Sequence, residues 1–216
     1  FLKSIIENHC KNAYTTLSLF SLTNQTVIID TNIFMYKFKS LNTLETSFMN
    51  MLDKFIKYNI NPIFVFDGIP SSDKNYTIES RKKKRDISNK IAYSIKQKIS
   101  NTTQKNYLKS LKKKLKYHES QSTKLYSRDF ITIKNIINSY NFHIIQANNE
   151  ADELCAEHNI NNHSYAVITE DTDLLVYGSP FVIINIDFNN DIFDIIHTKS
   201  LLNTLDIKSI FDFQQI

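Results

Sequence analysis

The sequence predicts an α/β fold: a parallel central sheet with helices on both faces, interrupted by an inserted basic helical arch. Three observations predict it. Short, continuously apolar runs alternate with helix-patterned stretches, as expected of strands buried on both faces. Several of those runs end in a carboxylate. Residues 81–116 hold 14 of the 26 Lys and Arg against a single acid, Asp86. Since the whole chain is only +4, the remainder is net acidic.

The elements follow in chain order. TVIID (26–30) is a short β-rich run ending in Asp30. Residues 44–58 place Leu44, Phe48, Met51, Leu52, Phe55 and Ile56 at helical spacing. PIFVFDG (62–68) is a second strand, closed by Asp67 and an Asp-Gly turn. Within the basic segment Ile87, Ile91, Ile95 and Ile99 recur every four residues, and Leu108, Leu111 and Leu115 continue on a second helix after an Asn101-Thr-Thr break. Phe130, Ile133, Ile137 and Tyr140 mark another helix, with Ser127 as its N-cap. FHII (142–145) is a third strand, and NNEADELCAEH (148–158) a helix that opens with acids. SYAVIT (164–169) and FVIINI (181–186) are the fourth and fifth strands, and residues 198–213 are helical again.

The 216 residues, 42% hydrophobic, are enough for one good core. No apolar run approaches the ~20 residues that span a bilayer, so no membrane is expected. The opening FLKSIIENHCK carries an acid and an amide where a signal peptide would be apolar. Cys10 and Cys155 have no metal or redox spacing, which favours a reducing, intracellular setting, nuclear or a viral replication compartment. Asn, Lys, Ile, Phe and Tyr are abundant while Gly numbers 2 and Pro 3, the usage of an AT-rich viral or protist genome.

Asp30, Asp67, Asp171 and Asp173 all follow the carboxyl end of an apolar strand, and Glu150 and Asp152 open a helix that follows another. Ligands of parallel sheets sit beyond those strand ends. Six carboxylates gathered there would repel one another and lose hydration unless a cation lay between them. Hard divalent ions such as Mg²⁺ take oxygen ligands and bridge to phosphate oxygens. Two such ions ~4 Å apart can activate a water and stabilise a leaving oxygen in phosphodiester cleavage. The Lys/Arg segment would hold the nucleic-acid backbone.

Taken alone, TEDTD (169–173) is equally a solvated acidic loop; the other acid-tipped elements tilt the balance. Glu153, Glu157 and Glu170 are read as surface or supporting groups. Asp53, Asp187 and Asp191 are read as solvated, and Cys155 as core. The six His have no ligand spacing.

IDTNIFMYKF, PIFVFDGIPSSDKNYTIESRKKKR, NNEADELCAE and TEDTDLLVYGSP resemble, in order and spacing, the two sequence blocks of the flap-endonuclease (XPG-type) 5′-nuclease superfamily. The resemblance implies a PIN-like core, an N region of about 1–85, a helical arch of about 74–118 and an I region of about 127–190. It implies a structure-specific 5′ nuclease acting on DNA with a 5′ flap or 5′ end in replication or repair, using two Mg²⁺ ions, with Mn²⁺ able to substitute. By the same resemblance Asp30, Asp67, Glu150 and Asp152 serve one metal, and Asp171 and Asp173 the other. Lys74, seven residues after Asp67, and Arg81, fourteen after, match basic residues at the scissile phosphate. Tyr36, six after Asp30, matches an aromatic that stacks on the terminal base, though its helical spacing fits core packing as well. Lys82, Lys83, Lys84, Arg85, Lys90, Lys112, Lys113 and Lys114 would line the arch that takes the single strand; a run such as Arg81–Arg85 also fits a solvated face or a localisation signal. A further metal-ligand Asp, a duplex-gripping helix-hairpin-helix and a sliding-clamp contact are expected beyond residue 216. An RNA-degrading relative and a non-catalytic nucleic-acid-binding scaffold are the alternatives.

Overall fold

In a computed structural model, which describes Ile6, Cys10 and residues 13–69 and 75–215, seven strands form one mixed sheet. They are β1 (Tyr14–Ser18), β2 (Thr26–Asp30), β3 (Asn61–Phe66), β4 (His143–Gln146), β5 (Ala166–Ile168), β6 (Phe181–Asp187) and β7 (Ile192–His197). The spatial order is β1-β7-β6-β5-β2-β3-β4. The five strands expected from sequence are the parallel ones, β6 to β4. Two strands were not anticipated, and both are antiparallel: β7 folds back on β6, and β1 pairs with β7. Their period-2 signal is blurred by polar residues such as Asp194, which accepts the Thr16 hydroxyl at 2.6 Å across the sheet edge.

The helices are α1 (Thr31–Ser40), α2 (Leu44–Lys57), α3 (Asn75–Ser100), α4 (Lys105–Gln121), α5 (Ser127–Ser139), α6 (Ala151–Ile160), α7 (Asp173–Val176), α8 (Thr198–Thr204) and α9 (Ile210–Gln214). Strand residues alternate between two cores. On β2, Val27 and Ile29 face a large-residue layer with Phe34, Phe48, Phe55 and Ile133 from α1, α2 and α5. Ile28 faces a small-residue layer with Ala151 and Cys155 of α6 and Leu174 of α7. The same alternation turns Asp30 toward α6. Small side chains there let α6 lie close to the sheet, which brings Asp152 near Asp30.

With so few glycines, asparagine supplies the left-handed turns. Asn42, Asn59, Asn141 and Asn162 have φ of 50–59° and follow the ends of α1, α2, α5 and α6. Asn tolerates this region because its short amide bonds locally. Gly68 has a different reason. A Cβ there would lie 2.2 Å from Ala147 O and 2.3 Å from Asn148 O. Its N–H bonds Asn149 O at 2.6 Å, so the turn carrying Asp67 is pressed against the segment leading to Glu150.

The basic arch is a helical hairpin as expected, but its seam differs from the predicted one. Ala92, Ile95 and Leu111 are buried between α3 and α4, whereas Ile87 is 58% and Ile91 37% exposed. A four-residue repeat drifts ~40° per step around a helix of 3.6 residues per turn, so the four isoleucines cannot share one face. Two further readings are corrected. Asp191 is not simply solvated: Lys54, Lys57 (3.1 Å) and the Tyr58 hydroxyl (2.6 Å) bond it, pinning the β6–β7 turn to α2. Asp53 accepts the Tyr140 hydroxyl at 2.7 Å.

Candidate nuclease site

The chain leaves β2 for β3 and β4 on one side, then crosses to β5 and β6 on the other. The crevice at that reversal lies beyond the carboxyl ends of β2, β3 and β5, where a ligand of such a sheet binds. The six acids arrive there on four short leads. Asp30 ends β2 and caps α1, and Asp67 follows β3. Glu150 caps α6, and Asp152 lies in its first turn. Asp171 follows β5, and Asp173 opens α7. The positive ends of α1 and α6 therefore point at the carboxylates and offset part of their repulsion.

The charges are close enough to perturb one another. Asp30 is 3% exposed, and its carboxyl is pushed up to about 8, first by burial and then by the charges of Asp152 and Asp67. Asp152 is pushed up to about 6, by burial and then by Asp171, Asp67, Glu150 and Asp173. Asp152 thus feels four of the other acids, and its own charge in turn raises Asp30. Beneath them Cys155, fully buried, has its thiol pushed well up by burial and by Asp30, Asp152 and Asp67, consistent with a core role.

Neutral groups orient the acids. Asp67 is held at both oxygens: Oδ1 accepts Ala151 N–H at 2.9 Å, and Oδ2 accepts the Asn32 amide. Asn32 Nδ2 must face the carboxylate because it is the donor, which leaves Oδ1 buried with no partner. Gln146 at the end of β4 donates to Asp67 O. The Thr169 hydroxyl donates to Asp30 Oδ2 at 3.2 Å. Sequence reading missed Asn32, Gln146 and Thr169, since uncharged residues beside acids carry no distinctive spacing.

The donor set is all oxygen, which suits a hard divalent ion. Among the described residues no group of three or more His, Cys, Asp or Glu is arranged as it stands to hold a metal ion. The six acids are gathered within Coulombic range, and the excess negative charge that raises Asp30 and Asp152 is what a cation would neutralise.

A cavity of about 580 Å³ adjoins this crevice, lined by Tyr36 and Lys37 of α1, Arg81, Lys84 and Arg85 of α3, and Glu170. Tyr36 is 45% exposed, so core packing is excluded and its ring faces the cavity. Lys37 forms an ion pair with Glu170, which makes that glutamate a structural partner and not a free surface group. The basic run is split by the helix. Arg81, Lys84 and Arg85 share the cavity, Lys82 lines a separate cleft with Lys124 and Tyr126, and Lys83 pairs outward with Glu79 at 3.1 Å. Lys90, Lys112, Lys113 and Lys114 are exposed along the hairpin. Lys74 lies outside the described residues.

The raised carboxyls carry a pH expectation. Asp30 has an ordinary value of 3.8 and about 8 in the folded chain, so between those limits the folded state binds more protons than the unfolded one. Stability in chelator should therefore fall as pH rises from about 5 to 8. Asp152 acts with the same sign over the lower part of that window. Thermal melts across this range should show the fall, Mg²⁺ should reverse it, and Asp30→Asn should flatten it. An Asp30→Asn slope equal to the parent's would show that Asp30 is not the group responsible.

Residues 2–88 match the XPG N-terminal domain, and residues 141–214 match the XPG I-region. A probable RAD2-like endonuclease of Invertebrate iridescent virus 6 is 26% identical over 96% of the chain, which spans 62% of that relative. Flap endonuclease 1 of Theileria parva is 27% identical over 81% of the chain, spanning 37% of that protein. The chain therefore covers less than two thirds of the length of these relatives. Among solved structures, the catalytic core of Rad2 in complex with DNA substrate superposes with a TM-score of 0.70 over 95% of this chain and 58% of that one, at 20% identity. Flap endonuclease-1 from Methanococcus jannaschii superposes with a TM-score of 0.61 over 93% of this chain and 65% of that one, at 19% identity. Both share this PIN-like α/β fold.

Proposed function

Given that the chain belongs to the XPG family, we propose that it is a structure-specific 5′ nuclease. It hydrolyses phosphodiester bonds in DNA carrying a 5′ flap or a 5′ end, in replication or repair, with two Mg²⁺ ions as cofactors and Mn²⁺ able to replace them. The observation that carries this reading is the convergence of six acids from four segments of the chain beside a cavity lined by Arg81, Lys84 and Arg85.

In this reading Asp30, Asp67, Glu150 and Asp152 hold one ion, and Asp171 and Asp173 the other. Bound divalent ions supply an activated water and counter-charge for the leaving oxygen. The residues of the chain do the rest. Asn32 and the Ala151 N–H keep Asp67 aimed by holding both its oxygens. Arg81, with Lys84 and Arg85 on the same helix face, sets positive charge where the phosphate becomes more negative. Tyr36 offers its exposed ring to a terminal base. Lys37 neutralises Glu170, so the cavity wall attracts phosphate. Lys74 keeps the role its spacing from Asp67 implies, at the scissile phosphate. The I region and N region form one nuclease core, with the arch, residues 74–118, inserted between them.

Matched DNA and RNA 5′-flap substrates, each tested in Mg²⁺ and in EDTA, decide the matter. Mg²⁺-dependent cleavage of the DNA flap is expected. Cleavage confined to RNA would make the chain an RNA-degrading relative, and binding without cleavage of either would make it a scaffold.

The hairpin has its own test. Neutralising Lys82, Lys83 and Lys84 together should weaken DNA binding and flatten its salt dependence, by about 0.7–0.9 in the log–log slope for each phosphate that is no longer neutralised. Binding isotherms at several salt concentrations measure this. Parallel slopes for variant and parent would show that these three lysines do not hold the DNA.

A further inference from the structure

Thr169 is 1% exposed and stands at the exit of β5, where its backbone N–H still bonds Ile183 O of β6 at 3.1 Å. Its hydroxyl is engaged on both sides. The oxygen accepts Asp171 N–H at 3.1 Å, and the hydrogen is directed to Asp30 Oδ2 at 3.2 Å. A hydroxyl has one hydrogen, so with the N–H on a lone pair its own proton is free for the carboxylate. Asp30 and Asp171 belong to the two different carboxylate groups of the proposed site. The next residue, Glu170, is paired with Lys37 on α1, the helix that Asp30 caps. The acidic loop is therefore tied twice to the same helix, once through Thr169 and once through Glu170. Threonine is suited to the first tie because branching at Cβ restricts its rotamer and the sheet fixes its backbone.

We propose that Thr169 is a positioning residue that sets the separation between the Asp30 and Asp171 carboxylates, and through it the affinity of the site for divalent cations. The inference rests on the reading of this crevice as a metal-dependent nuclease site. Its physical content is narrow: the hydroxyl, not the methyl or the buried volume, does the positioning. Supporting partners of metal-binding side chains contribute about 10–100-fold to affinity or activity.

The test compares the parent chain with Thr169→Val, which keeps shape and loses the hydroxyl, and Thr169→Ser, which keeps the hydroxyl and loses the methyl. Mn²⁺ binding is followed by electron paramagnetic resonance and calorimetry, and single-turnover cleavage of a DNA flap alongside. Thr169→Val should weaken Mn²⁺ binding about 10–100-fold and lower the saturated rate while leaving KM for DNA near the parent value. Thr169→Ser should bind Mn²⁺ as the parent does. If the valine variant melts early, Thr169→Ala replaces it in the same comparison. Parent-like Mn²⁺ binding by both hydroxyl-free variants overturns the positioning role and leaves the nuclease reading standing. Loss in Thr169→Ser equal to that in Thr169→Val overturns it too, by assigning the effect to packing. A parent chain that binds no Mn²⁺ overturns the inference together with the reading beneath it.

Discussion

Asp171→Asn is expected to abolish Mg²⁺-dependent cleavage while leaving the fold intact. The substitution removes one charge and little else. Asp171 Oδ1 accepts the Asp173 N–H at 3.0 Å, and an asparagine carbonyl can accept the same bond, so the loop keeps its turn. What is lost is an anionic oxygen ligand, which an amide replaces poorly toward a hard ion. The same loss relieves the metal-free state, because after burial the Asp171 charge is the largest influence raising Asp152. Thermal stability in EDTA should therefore hold or rise while turnover disappears. That opposition is the diagnostic outcome: a structural residue would lose both together. Undiminished turnover would remove Asp171 from the site.

Arg81→Ala should lower the single-turnover rate by ~10²-fold or more and change DNA affinity only a few-fold. Arg81 lines the cavity beside Tyr36, Lys37 and Glu170, the residue that precedes Asp171. A cation there meets charge that grows as the phosphodiester bond breaks, so its contribution is larger in the transition state than in binding. Lys83 provides the control two residues along. It is an outward residue, 72% exposed and paired with Glu79, so Lys83→Ala should slightly reduce affinity and leave the rate at saturating enzyme unchanged. The helix thus separates neighbours in sequence into different roles. Lys84 and Arg85 should follow Arg81 more than Lys83, because a 100° step per residue returns positions 84 and 85 to the cavity side. If Arg81→Ala weakens binding and spares the saturated rate, Arg81 belongs only to the electrostatic surface.

Much of this protein was legible without coordinates. Continuous apolar runs such as VII and IFVF, short and bounded by turn residues, read as strands buried on both faces, because a partly solvated strand would alternate. Acids at the ends of such runs share one edge of the sheet by topology alone, and the density of Lys in residues 81–116 marks a face for polyanions whatever its shape. Local composition and periodicity report these things because they depend on neighbours a few residues away.

Tertiary packing decided the rest. At the antiparallel edge β7 folds back on its neighbour β6, but β1 pairs with β7 across most of the chain, 178 positions apart in the Thr16–Asp194 bond, and no local pattern encodes that partner. The seam of the hairpin at Ala92, Ile95 and Leu111 follows from the true helical pitch and the facing helix. Tyr36 could have been core or surface by spacing, and only the fold leaves its ring exposed to a cavity that residues of α1 and α3 line together. The carboxylate ligand candidates were visible as charges, whereas the neutral side chains that aim them, Asn32, Gln146 and Thr169, were not. A charge announces itself in any sequence because burying it needs a partner. A hydroxyl or an amide acquires its role only from the one acceptor that the fold sets within hydrogen-bond reach.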